Sequence, residues 1–179
     1  LRGVAAQVPG HNQAVAVADA FIADGTIVSL RGRTEQANMR FRATPNRQHP
    51  FQEALPLVVL VNGGTASGAE ILAAALQDHH RAEVIGSGTY GLAMVATIFP
   101  LPNGGALKLT TSRYLRPTET ALQGQGITPD VCFAPNTPPT ARQTSTPRAK
   151  NPRPAQKGEP ERELAYAVER LSRSTARER

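Results

Sequence analysis

The order of apolar and polar residues along the chain changes its period several times, and each change marks an element. Residues 11–24, HNQAVAVADAFIAD, place Val15, Ala18, Phe21 and Ile22 at helical spacing, which predicts a helix capped by Asn12 and closed by Gly25. TIVSLRGR predicts a strand, and MRFRAT a second one in which apolar and basic residues alternate. The proline-rich, polar run PNRQHPFQEA reads as a surface loop. LPLVVLV is apolar without a break, as expected of a strand covered on both faces in a mainly parallel sheet. A turn of small residues, NGGTASG, follows, and then a helix with Ile71, Leu72, Ala75 and Leu76 on one stripe. RAEVIGSG predicts the next strand. Strand, helix and strand within about thirty residues make a βαβ unit.

Beyond it, LAMVATIFPL and ALKLTTSRYL flank PNGG, and Asn103-Gly104 marks the turn of a β-hairpin. A glycine-rich loop, QGQG, leads into a short strand at DVCFAP. From Asn136 to Glu159 the composition shifts to Pro, Thr, Gln and basic residues, which predicts disorder. Residues 160–172 predict a short helix with Leu164, Ala167, Val168 and Leu171 on one stripe and Pro160 in its first turn. The division expected is a core at 1–135, a linker at 136–159 and a helix and tail at 160–179.

Composition changes this picture little. The chain has 179 residues, enough for one sizeable core, and is 40% hydrophobic but only 4% aromatic, so aliphatic side chains must fill that core. Of its net charge of +6, five belong to residues 136–179, where ten Lys/Arg face five Asp/Glu, and one to residues 1–135, so the body needs no nucleic-acid partner to explain it. The single cysteine, Cys132, excludes an internal disulfide and reads as a small apolar residue in a strand. No run of eighteen apolar residues predicts a transmembrane helix, and no secretory leader is visible. Residue 1 is Leu, and the chain is expected to begin inside a larger protein.

Ser67 sits where the small-residue turn becomes the helix. A serine there can be a nucleophile, because free N–H groups and the helix dipole stabilise an oxyanion and the surrounding glycines admit a substrate backbone. It can equally be a cap, as can Thr65. The turn is neither GxGxxG nor GxxxxGK[ST], which argues against a nucleotide. Asp78, His79 and His80 lie eleven to thirteen residues along the helix, roughly 16–20 Å away, too far to act as its base. The two histidines are expected at the solvated end of the helix, and as helical neighbours they point apart, which argues against a shared metal.

The blocks VVLVNGGTASGAEILAAALQDHHRAEVIGSGTYG, TIFPLPNGGALKLTTSRYLRP and QGQGITPDV closely resemble the catalytic core of the C-terminal processing peptidases, the tail-specific serine proteases. The upstream AVAVADAFIADGTIVSLRGR is similar to the helix and strand that precede the nucleophile in that family, and the resemblance covers about residues 1–135. It implies an α/β fold of the Clp-protease and crotonase kind and a Ser-Lys mechanism, in which a desolvated, neutral lysine is the base. It puts the nucleophile on Ser67, oxyanion donors on Gly68 and Gly10, and a supporting carboxylate on Asp78. Protein or peptide substrates recognised through their C-terminal tails, an extracytoplasmic setting, no nucleic acid, no metal and no cofactor are implied with it, while the oligomeric state stays open.

The sequence departs from the family at the base. Where members read close to Thr-Phe-Gly-Lys-Gly, this chain has Thr89-Tyr90-Gly91-Leu92-Ala93, so Leu92 stands at the lysine position. A glutamine four residues on is replaced by Ala96, and alternation along a strand puts 92 and 96 on one face. Lys108, the only lysine of the body, is expected opposite about residue 99, some 23 Å along the strand from position 92. Arg116 stays protonated and is no base. At the front, a Leu-Arg-x-Asn-Pro-Gly-Gly motif is reduced to Pro9-Gly10 followed by His11, and the PDZ domain and first core strands that the resemblance leads one to expect upstream are not among these residues. Two expectations follow: a serine peptidase core impaired by the loss of its base, or a non-catalytic module that adds peptide tails to a sheet edge.

Overall fold

The computed structural model describes residues 5–6, 10–45, 55–133, 140–141 and 160–177. In order these form β1 (Ala5–Ala6), α1 (Gly10–Asp19), β2 (Thr26–Gly32), a 3-10 turn (Glu35–Ala37), β3 (Met39–Arg42), β4 (Val58–Val61), β5 (Ala66–Ser67) and α2 (Gly68–Asp78). There follow β6 (Glu83–Gly86), β7 (Met94–Pro100), β8 (Ala106–Leu115), β9 (Val131–Cys132), β10 (Thr140–Ala141) and α3 (Pro160–Arg177). The result is a mixed α/β fold, as the pattern of the sequence predicts.

The uninterrupted apolar run forms β4, the end strand, among the described residues, of a sheet ordered β10-β9-β6-β4, in which β4, β6 and β9 run parallel. Alternation then decides which helix each residue of β4 meets. Val59 and Val61 join the main core beneath α2, whereas Val58 and Leu60 face a second cluster with Ile85, Phe133, Tyr166 and Ala167 of α3. Both faces are covered, so polar residues have no place in the run. The C-terminal helix is tied on by Arg170, which donates to both Glu83 carboxylate oxygens at 2.7 and 2.8 Å. Its Tyr166 ring meets Phe133 edge-on at 5.5 Å.

The βαβ unit is β4–α2–β6. Its helix is buried almost all round rather than along one stripe: only Leu72 and Asp78 are partly exposed. Ala73, Ala74 and Ala75 let it pass closely between α1, β2 and the parallel sheet. A second, antiparallel sheet is ordered β3-β2-β8-β7, and β7–β8 is the expected hairpin. The hairpin loop closes with Leu101 donating to the carbonyl of Gly105 at 2.8 Å, and Gly104 takes φ +80°, open to glycine without strain.

Several boundaries move for local reasons. α1 starts at Gly10, so Asn12 lies inside it rather than capping it, and it ends at Asp19 rather than at 24. Asp19 is buried there because its carboxylate accepts the amide and hydroxyl of Thr44, at 2.5 and 3.0 Å, which fixes the chain's exit. Closure of the hairpin between Leu101 and Gly105 sets Lys108 opposite Ile98, one residue from the expected partner. Of 136–159, expected to be disordered, only Thr140–Ala141 are described, and they pair with β9. The loop expected over PNRQHPFQEA lies outside the described residues except for Pro45. No helix among the described residues is long and apolar enough to cross a membrane.

Tyr114 closes the core under the antiparallel sheet, and burial raises its phenol above the ordinary tyrosine range. The unfolded chain ionises at about pH 10 while the folded one holds its proton longer, so stability falls as pH rises past 10. Thermal unfolding of the Tyr114→Phe variant should therefore lose less between pH 9 and pH 11 than the unmodified chain does. Equal losses in both would remove Tyr114 as the cause.

Candidate active site

The turn between β4 and α2 is built from its own polar groups. Asn62 Oδ1 accepts the amide of Gly64 at 2.9 Å, and Thr65 Oγ1 accepts that of Asn62 at 3.1 Å. Two residues of strand follow, with Ala5 paired to Ala66 and Ala6 to Ser67 in parallel register, and α2 begins at Gly68. Ser67 thus occupies the cap position of the plain structural reading. A cap residue normally has extended backbone angles, however, and Ser67 is at φ 56°, ψ −123°. A non-glycine residue held there costs about 1–3 kcal/mol, and persists only where its surroundings enforce it.

The enforcing group is Glu70. Its side chain is fully enclosed, and its two oxygens collect four donors. Oε2 accepts the amides of Ser67 at 3.1 Å and Leu92 at 2.9 Å; Oε1 accepts the amide of Gly91 at 2.7 Å and the hydroxyl of Thr89 at 2.5 Å. Thr89 Oγ1 in turn accepts the amide of Ile127 at 2.7 Å, which draws in the QGQG loop. The main chain repeats the tie: Tyr90 donates to the Thr65 carbonyl at 2.9 Å, and Gly124 to that of Gly91 at 2.8 Å. Gly126 must be glycine, because a Cβ there would lie 2.6 Å from the Thr89 carbonyl oxygen. None of this was read from the sequence. The signal was the glutamate three residues after Ser67, which belongs to the capping-box pattern.

Glu70 also decides where position 92 falls. The amide nitrogens of Ser67 and Leu92 sit on one carboxylate oxygen, so they are no farther apart than the sum of the two bonds, about 6 Å. The sequence reading placed Leu92 beside Ser67 by motif alone, and the geometry brings them together. Leu92 precedes β7, but the ladder already includes its neighbour, since Tyr114 donates to the Ala93 carbonyl at 3.0 Å. The register break between Val95 and Ala96 puts the extra residue, Thr111, on β8. Alternation along β7 is therefore kept, and Leu92, Met94 and Ala96 fall on one side. Leu92 is 41% exposed although apolar.

Other residues proposed from the sequence take different places. Gly68 opens α2, where its amide has no partner within the helix. Gly10 opens α1, four residues after the one paired with Ser67. Asp78 lies at the far end of α2 and holds Arg116 in a buried ion pair, with Thr118 donating to it at 3.2 Å. Arg116 also donates to Gln77 Oε1 at 2.8 Å, and Gln77 Nε2 reaches Asp130 at 2.9 Å, so Asp78 belongs to a network that fixes the far end of the helix. His79 is not solvated as expected: it is half-buried, with Nε2 2.8 Å from the Thr26 carbonyl. Its ring fills the space a Cβ on Gly25 would need. His80 is exposed at φ 52°. Lys108 lies well out on the hairpin, six residues beyond position 92. Among the described residues no cluster of three or more His, Cys, Asp or Glu could hold a metal.

Removing the Glu70 carboxylate strands one buried amide, two part-buried amides and a hydroxyl, worth up to about 1–3 kcal/mol each when left unmet. Glu70→Ala should therefore destabilise the chain by at least about 3 kcal/mol in urea unfolding, with amide exchange at Gly91 and Leu92 accelerated first. A loss below about 1 kcal/mol would mean that the turn holds without it.

Comparison with known proteins agrees with this construction. The sequence profile of "Peptidase family S41" matches residues 10–133. A "Carboxy-terminal-processing protease" of Bartonella bacilliformis is 49% identical over 120 residues, which are 67% of this chain and 27% of that protein. The "Carboxyl-terminal-processing peptidase 2, chloroplastic" of Arabidopsis thaliana is 49% identical over 75 residues, 42% of this chain and 15% of that one. Among solved structures, the "Photosystem II D1 C-terminal processing protease" superposes with a TM-score of 0.66 at 32% identity, over 75% of this chain and 33% of that chain. This chain spans a third or less of each relative's length. A serine strained at a strand-to-helix turn, a carboxylate binding that turn to the following loop, and a profile match across the whole of both elements lead to one conclusion: the chain belongs to peptidase family S41.

Proposed function

We propose that this chain is the core of a serine-type, tail-processing endopeptidase in which Ser67 is the nucleophile and the general base is lost. The observation that carries the proposal is the shared oxygen of Glu70, which brings the Ser67 and Leu92 amides within about 6 Å. A side chain at 92 long enough to reach Ser67 Oγ would take the proton as the hydroxyl attacks the carbonyl of a peptide bond. The new oxyanion would be met by the Gly68 amide at the start of α2 and by Gly10, and the same base would then protonate the leaving amine. Leucine can do neither, and Ala96 offers no amide to orient a base. Loss of one member of such a set lowers the rate by about 10³-fold or more.

A second reading rests on β7. It is the edge of its sheet and starts two residues after Leu92, so an extended peptide could add to it without being cut. Protein tails as substrates, and an extracytoplasmic setting, belong to both readings; what supports them is the relatives' naming as bacterial and chloroplast processing enzymes.

Cleavage of an unstructured-tail protein substrate is the test, with the unmodified chain beside Leu92→Lys/Ala96→Gln and the same double variant carrying Ser67→Ala. The double variant should cleave at least about 10³-fold faster than the unmodified chain and lose this with Ser67→Ala. Cleavage by the unmodified chain that Ser67→Ala abolishes would overturn the missing-base account. Tail binding with no cleavage by any variant would favour the edge-strand module.

A further inference from the structure

One face of the antiparallel sheet carries an arrangement that the reaction does not use. Alternation puts Arg31 of β2, Arg40 and Arg42 of β3 and Arg113 of β8 on the same side, and Arg31 and Arg113 lie directly opposite one another. Like charges so placed repel unless an anion joins them. Between β2, β3 and β8 this face forms a cleft of about 280 Å³, with Arg31 and Arg40 on its walls and Ser29 and Leu115 among its lining. The Ser29 side chain is buried, and its hydroxyl has no hydrogen-bond partner, an unmet donor beside two guanidinium groups. The anion now facing them is internal: Glu119 reaches Arg40 at 2.7 Å and Arg31 at 3.5 Å from a backbone at φ 61°, where glutamate is rarely found.

The register places this cleft relative to the site. Met94 pairs with Arg113, and the ladder continues through Tyr114 and Ala93, so Leu92 faces Leu115. Leu115 pairs with Ser29, and Ser29 with Arg40. Leu92, Leu115, Ser29 and Arg40 thus form one row across the sheet on one face, and with strands about 4.8 Å apart Ser29 lies roughly 10 Å from position 92.

From this geometry we infer that the cleft binds the C-terminal carboxylate of a peptide tail, with an apolar last side chain against Leu115. Arg31 and Arg40 provide the charge-assisted bonds, and Glu119 is the internal carboxylate that the tail displaces. The inference rests on the proposed tail-processing site. An extended chain covers about 3.3 Å per residue, so a carboxylate held here puts a bond three to four residues from the tail's end beside Ser67.

Binding of a fluorescein-labelled octapeptide ending in Leu-Ala, measured by fluorescence polarisation on the full chain, tests this independently of cleavage. The free acid should bind at least tenfold more tightly than the amidated peptide. Arg31→Gln/Arg40→Gln should abolish that preference, while Arg42→Gln, on the same face but paired with Asp24, and Ser67→Ala should leave it unchanged. Glu119→Gln, by freeing both arginines, should tighten binding of the acid severalfold. Equal binding of acid and amide would overturn the inference. So would an effect of Arg42→Gln as large as that of the double variant, or tight binding of an amidated peptide carrying only an internal Asp. Failure of Leu92→Lys to restore cleavage beside a preserved acid preference would count against the catalytic reading alone.

Discussion

A single buried carboxylate holds the site together. Glu70 stands in the first turn of α2, and from there it accepts donors from the serine turn and from the loop after β6. A carboxylate has about four acceptor positions, and all are engaged here. That saturation makes a charge tolerable in the core, because every donor it faces would otherwise be buried and unmet. It also offsets the strain of Ser67, whose backbone conformation has no local reason to persist.

The other polar networks are arranged around this tie. At the opposite end of α2, Asp78, Arg116, Gln77 and Asp130 link the helix to β8 and to the segment before β9. The helix is thus clamped at both ends, while its alanine-rich middle allows close packing on several sides. Both segments that approach Ser67, the 89–92 loop and β1, are placed relative to that helix. Leu92 is consequently held through its backbone amide, by a group that does not depend on its own side chain. The proposed exchange of a base for leucine there would remove chemistry while leaving the scaffold untouched.

Much of the architecture was legible in the sequence because burial dictates it. The run at LPLVVLV could only be a strand covered on both faces, and the Asn103-Gly104 turn fixed the hairpin to within one residue. Ser67 and Leu92 were singled out through the family resemblance of their blocks, and their amides share one Glu70 oxygen. What could not be read were side-chain partners remote in sequence. Asp19 ends α1 early because of Thr44, and His79 leaves solvent because Thr26 offers a carbonyl; neither leaves a local trace. Glu70 was visible as a helix-capping glutamate, but its bonds to Thr89, Gly91 and Leu92 span about twenty residues and follow only from the βαβ crossover. The arginine row across β2, β3 and β8 is invisible for the same reason, since strand register alone brings those residues onto one face.

The central claim is that Ser67 is held as a nucleophile and lacks only a proton acceptor. Labelling by a fluorophosphonate probe measures this without any substrate being recognised. In the unmodified chain, Ser67 should label no faster than a surface serine, and in Leu92→Lys it should label rapidly, with a rate that rises with pH as the introduced lysine loses its proton. Rapid labelling of the unmodified chain that disappears with Ser67→Ala would contradict the account.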